Sequence, residues 1–479
     1  MRVEIVLRYI GLVLIFNAVF LFISFLLSIY LSETTDIPLL YSTLIALLLG
    51  LLPLIYVQPT HYVTIFEGIT IVVFGWFFTC LVGALPYLLW GGEFSVINSW
   101  FESVSGFTTT GSTIVIDIES LPRSLLFWRS STHWIGGIGI IFFTLLILPE
   151  SNTSKLTLLN SEMSLLAQSD FKNRAKEILK ILLYVYVGLT ILESVLLKVA
   201  GMTFFDAINH SFATIATGGF STKNLSIASF NSLSIEIIIM VFMVLAGLHF
   251  GLTFNTILGK RNNLFNSPII KAYMAFLFMG IVFVSLKLFY TGTYTWWEAV
   301  RYSSFQVISL GTTTGFATAD TVNWPSFTQI ILIYFTIQCA TSGSTSGGLK
   351  FDRVWIFFKA VVKQIKMIQH PNAIISIKVK GKPIGENIEN HTMVFIILYL
   401  FIIFYSTALL TFLNVDTITA FSSSAATLGN VGPGFGDVSS LGNFNSLPSL
   451  GKFILTINML LGRLEMFGII SLLFIKSWR

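Results

Sequence analysis

Charge is what this sequence has least of. Only 11% of its 479 residues are Asp, Glu, Lys or Arg, against roughly a quarter in soluble domains, which excludes an ordinary soluble enzyme or binding module. Cysteine is nearly absent too: Cys80 and Cys339 stand far apart in apolar surroundings, leaving neither a disulfide framework nor a metal knuckle. Only about 150–177 and 350–390 lack long apolar runs, and neither is large enough for an aqueous domain. Clusters of acids and imidazoles are missing as well. His133, His210 and His249 fall on separate segments without ligand spacing and read as helix-packing histidines. A membrane-embedded enzyme, such as a transferase for lipid-linked substrates, would need such clusters, so the chain is not expected to be one. No nucleic-acid partner is expected.

What is present is apolar length. With 54% hydrophobic residues and a mean hydropathy of +0.82, the chain is an integral membrane protein. Runs of roughly 20 apolar residues, enough to cross about 30 Å of hydrocarbon as helix, recur along it. The first, about 10–30, is too long for a signal h-region and reads as a retained helix. Residues 1–63 form two N-terminal transmembrane helices, about 8–31 and 38–57. From Thr64 a unit recurs: long apolar helix, short amphipathic helix, Thr/Gly stretch, long apolar helix. The copies are 64–150, 151–260, 261–372 and 391–479, with 373–390 set apart. Their return helices are expected at about 123–148, 233–258, 326–368 (broken) and 449–476.

Each unit carries a variant of one motif. The copies are Thr108-Thr109-Thr110-Gly111, Ile215-Ala216-Thr217-Gly218-Gly219-Phe220, Gly311-Thr312-Thr313-Thr314-Gly315-Phe316 and Gly429-Asn430-Val431-Gly432-Pro433. The surrounding stretches, 91–122, 201–232, 291–325 and 414–448, hold too few apolar residues to cross, so each leaves and re-enters on one side. Irregular backbone at membrane depth survives only when buried in protein or lining water. The predicted fold is therefore all-α, with four helix–pore-loop–helix repeats around a central pore. A cation there exchanges its water shell for oxygens, and rings of backbone carbonyls supply them. Inward-pointing carbonyls need unusual dihedrals, which Gly111, Gly218, Gly315 and Gly432 would provide through positive φ. The expected ion-binding residues are Thr109, Thr110, Gly111, Ala216, Thr217, Gly218, Thr313, Thr314, Gly315, Asn430, Val431 and Gly432. The short helices would aim their negative C-terminal ends at the lumen.

Two further features bear on the pore. Gly343-Ser344-Thr345-Ser346-Gly347-Gly348 interrupts the third return helix. About 14 residues from Phe327 to Ala340 are too few to cross, which puts the run inside the membrane below the Thr/Gly stretch. Arg463 lies midway along the last helix, where a lone charge costs at least ~2.5 kcal/mol; it either pairs with Glu465 or carbonyls, or faces the lumen. Glu102 and Glu193 line a vestibule or are merely solvated. Lys and Arg concentrate in the loops of one side, with both termini, which is read as cytoplasmic. Residues 373–384 alternate apolar and polar around Gly381 and read as a small cytosolic hairpin.

At these motifs the sequence resembles the superfamily of potassium transporters that includes bacterial TrkH and KtrB, fungal Trk and plant HKT proteins. Its TrkH-type subunits fit best, on the two extra N-terminal helices, His133-Trp134-Ile135-Gly136-Gly137-Ile138-Gly139, Ala216-Thr217-Gly218-Gly219-Phe220-Ser221-Thr222 and Gly429-Asn430-Val431-Gly432-Pro433-Gly434. The resemblance implies a four-repeat pathway for K+ (and Rb+) in the bacterial inner membrane, without a covalently bound cofactor. It also implies a homodimer and a separately encoded cytosolic partner, a TrkA-like ring that carries the nucleotide. The Gly343–Gly348 run becomes the intramembrane loop that obstructs the pore, and Arg463 an electrostatic barrier beneath the filter. In this superfamily a serine at the first filter glycine goes with sodium permeation; Gly111 therefore favours potassium. A sodium- or proton-coupled cation symporter on the same scaffold is the alternative.

Overall fold

The computed structural model describes residues 1–59, 63–147, 175–260, 263–370, 372–373, 375–379, 382–464 and 466–473. Most of the polar segment expected at about 150–177, the turn residue Gly381 and the partner candidate Glu465 lie outside them. Among the described residues, six helices are long and apolar enough to cross a membrane, or up to seven if one bent pair counts as a single span. The protein is a multi-pass, all-α membrane protein.

The N-terminal helices, Val3–Leu31 and Asp36–Tyr56, form an antiparallel hairpin. They meet where both lack a side chain: a Cβ on Gly50 would stand 2.9 Å from the Gly11 carbonyl oxygen. Small residues let helices in lipid approach and gain dispersion contacts. Arg2 ties the hairpin to the first repeat through Glu67, with Nη2 to Oε2 at 2.8 Å and Nε to Oε1 at 2.9 Å.

The repeats follow the predicted order. The outer helices are Ile65–Gly83 (continued by Leu85–Trp90), Ala175–Val199, Pro268–Tyr290 and Glu386–Phe412. The short helices are Val96–Phe107, Phe204–Ile215, Trp296–Gly311 and Thr417–Leu428. Each short helix opens on an oxygen-bearing cap, Ser95, Thr203, Thr295 or Asp416, which satisfies amides that have no partner in the first turn. At Thr295 the hydroxyl (2.8 Å) and the amide (3.1 Å) both donate to Glu298 Oε2 and hold that carboxyl below its usual range.

The return helices depart from expectation. Only the first, Arg123–Ile147, is one helix. The second was expected as one run from about 233 to 258, but it is split into Leu233–Gly247 and Phe250–Ile257, bent by 109°. The cause is local. Leu248 is extended, the Gly247 carbonyl accepts hydrogen bonds from the Thr341 amide (3.2 Å) and hydroxyl (3.0 Å), and His249 Nδ1 caps the new helix from the Gly251 amide. The third is interrupted between Ser326–Ile337 and Phe351–Gln369. The fourth divides into Ser449–Arg463 and Met466–Leu473. Gln338–Cys339 pairs in parallel with Leu349–Lys350 at the base of the Gly/Ser loop. Lys378–Val379 pairs antiparallel with Lys382–Pro383.

One buried ion pair fastens the first short helix. Arg129 on the return helix meets Glu102 at 2.7 Å, with both side chains essentially inaccessible. Glu102, expected near the vestibule surface, is thus a core residue, because it also accepts from the Thr113 hydroxyl and the Ile114 amide. Removing one partner strands a buried charge. Glu102→Gln should therefore destabilise by roughly 3–5 kcal/mol, while Glu119→Gln, in an exposed pair with Lys223 at 3.9 Å, should cost less than about 1 kcal/mol. Thermal unfolding of the detergent-solubilised protein checks the contrast; equal shifts would contradict it.

Candidate cation pathway

All four short helices end in the same way. Their last caps are Thr108, Ala216, Thr312 and Gly429. The next residue, Thr109, Thr217, Thr313 or Asn430, is left-handed, with φ of 53°, 54°, 62° and 53°. Its amide bonds Gly106, Thr214, Leu310 or Thr427, and the following amide bonds Ser105, Ala213, Ser309 or Ala426. This is a Schellman cap four times over, but with Thr or Asn where glycine is usual. A β-branched residue there costs of order 1–3 kcal/mol, and such strain persists at sites of function. The strained residues present side-chain oxygens: Thr109 Oγ1, Thr313 Oγ1 and Asn430 Oδ1 are buried and lack a hydrogen-bond partner among the described residues.

Two residues further on, the chain is left-handed again at Gly111, Gly219, Gly315 and Gly432, with φ of 83°, 80°, 78° and 103°. Here the four copies interlock. A Cβ on Gly111 would overlap the carbonyl oxygen of Gly218, one on Gly219 that of Thr314, and one on Gly315 that of Val431. A Cβ on Gly432 would stand 2.6 Å from the Thr110 oxygen, which closes the ring. Each glycine is needed both for its φ and for the neighbouring backbone that fills its empty side.

This geometry corrects the second copy. The expectation gave Gly218 the positive φ, but Gly219 has it, and Gly218 stands where the other repeats have Thr110, Thr314 and Val431. Ala216 is the helix cap and not a ring residue. Aligning Gly219-Phe220 on Gly315-Phe316 carries the correct register, a signal that counting on the first glycine misses. Gly218 has its own reason to be small, since a Cβ there would overlap the His133 imidazole. His133 stacks on Phe220, with ring centroids 4.0 Å apart, and so is a packing residue as expected.

On one side of the ring lies a cavity of about 60 Å³, lined by all four left-handed glycines together with Arg129 and Lys223. On the other lies the Gly/Ser loop, buried beside the short-helix ends. Thr345 Oγ1 donates to the Ile215 carbonyl at 3.0 Å, and the Phe250 amide bonds the Gly343 carbonyl at 3.0 Å. The loop is also held by its own flanks: Asp352 Oδ2 accepts from the Ser342 amide at 2.6 Å, and Lys350 Nζ donates to the Ser346 carbonyl and hydroxyl. Neither flank was foreseen, because both look like ordinary charges on the helix after the loop. Arg463 sits at the same level. Its Nη1 donates to the Thr345 carbonyl at 2.6 Å and its Nη2 to the Gly136 carbonyl at 2.7 Å, so the fourth return helix, the loop and the first return helix share one guanidinium. Glu193 is fully buried in the second outer helix and is not a solvated side chain.

These features can be compared with known proteins. The profile of the TrkH family, described as cation transport protein, matches residues 58–478. The Trk system potassium uptake protein TrkH of Escherichia coli K12 is 37% identical over 417 residues, covering 86% of each chain. TrkH of Halomonas elongata is 35% identical, also over 86% of each. The crystal structure of the potassium transporter TrkH from Vibrio parahaemolyticus superposes with a TM-score of 0.90 at 30% identity over the full length of both chains. By profile, sequence and fold, the chain belongs to the TrkH family of cation transport proteins.

Proposed function

We propose that the protein takes up potassium through the ring formed by its four Thr/Gly motifs, and that the Gly343–Gly348 loop and Arg463 gate this path. The observation that carries the reading is the closed circuit of left-handed glycines against neighbouring carbonyls. It holds oxygens at fixed spacing at the negative ends of four short helices, each worth up to ~2 kcal/mol to a partly buried cation. Potassium is the ion named for the relatives, and Gly111 agrees with it. The proposed ion ligands are the backbone carbonyl oxygens of Thr109, Thr110, Thr217, Gly218, Thr313, Thr314, Asn430 and Val431, with Gly111, Gly219, Gly315 and Gly432 shaping the ring.

The loop stands in line with the ring, and a guanidinium beside it repels cations in a low-dielectric site. The reading extends to a homodimer in the bacterial inner membrane with both termini cytoplasmic. It also assigns a TrkA-like nucleotide-binding ring to the basic face formed by the 378–383 hairpin and the helix Phe351–Gln369. Lys359 Nζ already joins the two, donating to the Lys378 carbonyl at 2.7 Å, so a partner on the hairpin has a lever on the helix that leaves the loop.

Uptake into proteoliposomes under K+, Rb+, Na+ and Li+ gradients, with and without the cytosolic partner, tests the whole; exclusion of both K+ and Rb+ would overturn it. The ring register has a sharper test. Gly219→Ala should lower Rb+ uptake roughly tenfold or more, from strain of about 1–3 kcal/mol, and no side-chain change can rescue it, since the clash is with backbone. Gly218→Ala clashes with an imidazole, so His133→Ala should restore its uptake. Rescue of the first and not the second would refute the register. Arg463→Gln, or shortening of 343–348, should raise resting Rb+ flux several-fold. Deleting 376–383 should abolish co-purification with the nucleotide-binding partner, and unchanged recovery of the complex would remove the hairpin from the docking surface.

A further inference from the structure

Asn430 touches both the ring and the loop, and its amide is fully committed on one side only. Nδ2 donates to Thr110 Oγ1 at 3.0 Å, across the junction between the fourth and first repeats, and to the Met459 carbonyl at 2.9 Å. The Met459 carbonyl can only accept, which fixes the amide orientation. Oδ1 therefore points the other way, toward Gly347 of the loop and Gly462. A Cβ on Gly347 would overlap Oδ1 and stand 2.7 Å from Asn430 Cβ, and a Cβ on Gly462 would stand 2.7 Å from Oδ1. The side chain is fully buried, and Oδ1 accepts no hydrogen bond among the described residues. Four residues beyond Met459, one helical turn along the same face, Arg463 holds the Thr345 carbonyl of the same loop. Ring, return helix and loop thus form a closed chain of contacts with Asn430 at its corner.

We infer that Asn430 is a positioning residue that couples the ring to the loop: its carboxamide oxygen is orphaned only while the loop is seated, and this biases the loop toward leaving. The inference rests on the reading of 343–348 as the gate. An unsatisfied buried acceptor carries a desolvation penalty that water reaching the withdrawn-loop space would relieve, whereas the two Nδ2 bonds do not depend on the loop and cancel between its two positions. The lost van der Waals contact with a smaller side chain is a few tenths of that penalty, so the penalty sets the sign. The other three repeats place Thr at the same left-handed position, which makes Asn430→Thr a substitution the backbone accepts.

The experiment is resting Rb+ uptake by the purified chain in proteoliposomes, in two backgrounds: the intact loop and a loop shortened within 343–348. With the loop intact, Asn430→Thr should lower uptake by roughly three- to tenfold. With the loop shortened, only the effect of the substitution on the ring itself should remain, and the fall should be at least about threefold smaller than with the loop intact. Gly347→Ala, which pushes the loop off the same amide, should raise uptake in the full-length loop. An equal effect of Asn430→Thr in both backgrounds, a rise in place of a fall, or no effect in either overturns the coupling while leaving the gate reading intact. Failure of loop shortening alone to raise uptake overturns both, and is recognised without reference to Asn430. Monodisperse elution and an unchanged Tm of Asn430→Thr separate a coupling effect from misfolding.

Discussion

The structure depends on a steric fact repeated four times: where one strand of the ring has no side chain, the next repeat's carbonyl takes the space. Each interlock joins consecutive repeats, and the last returns to the first, so no strand can be placed correctly unless all are. The Schellman caps supply the other half of the constraint. They consume the terminal helix carbonyls internally, which leaves the carbonyls of the segments beyond them for the interlock. The caps at Ser95, Thr203, Thr295 and Asp416 set where each short helix begins, the Schellman turns where it ends, and the ring is what lies one step beyond.

Much of this was legible. Four copies of a Thr/Gly stretch, each preceded by a short helix and flanked by apolar runs, implied re-entrant loops around a shared lumen, and the elements stand in that order. The Gly/Ser interruption of the third return helix was legible because no helix tolerates that composition. The broken second return helix was not. Leu248-His249 carries no proline and no glycine run, and the bend exists because Gly247 gives its carbonyl to Thr341, a residue nearly a hundred positions away. The same holds for Glu102, which reads as a solvated acid until Arg129 is brought against it. The misplaced register of the second copy had a different origin: two adjacent glycines, both required to be small, one for φ and one for His133.

The loop is held by three kinds of contact that respond to different things. Lys350 and Asp352 clamp it from its own flanks, Gly247 and Phe250 seat it in the bend of the second return helix, and Arg463 fixes it to the fourth and first. The helix that leaves it, Phe351–Gln369, is tied to Lys378 by Lys359. Motion of that helix therefore acts on the flank clamps first, and on the contacts from other repeats only through the loop itself.

A ring assembled from four repeats of one chain also differs from a tetramer of identical chains in how it changes. In a symmetric assembly every substitution is made at four places at once, so the ring moves between widely spaced states. Here Gly218 can replace the Thr of its neighbours, or Asn430 and Val431 can occupy one quadrant, while the other three remain as they were. The ring can thus be adjusted in quarter steps, and a single quadrant can be given a second task without the others having to share it.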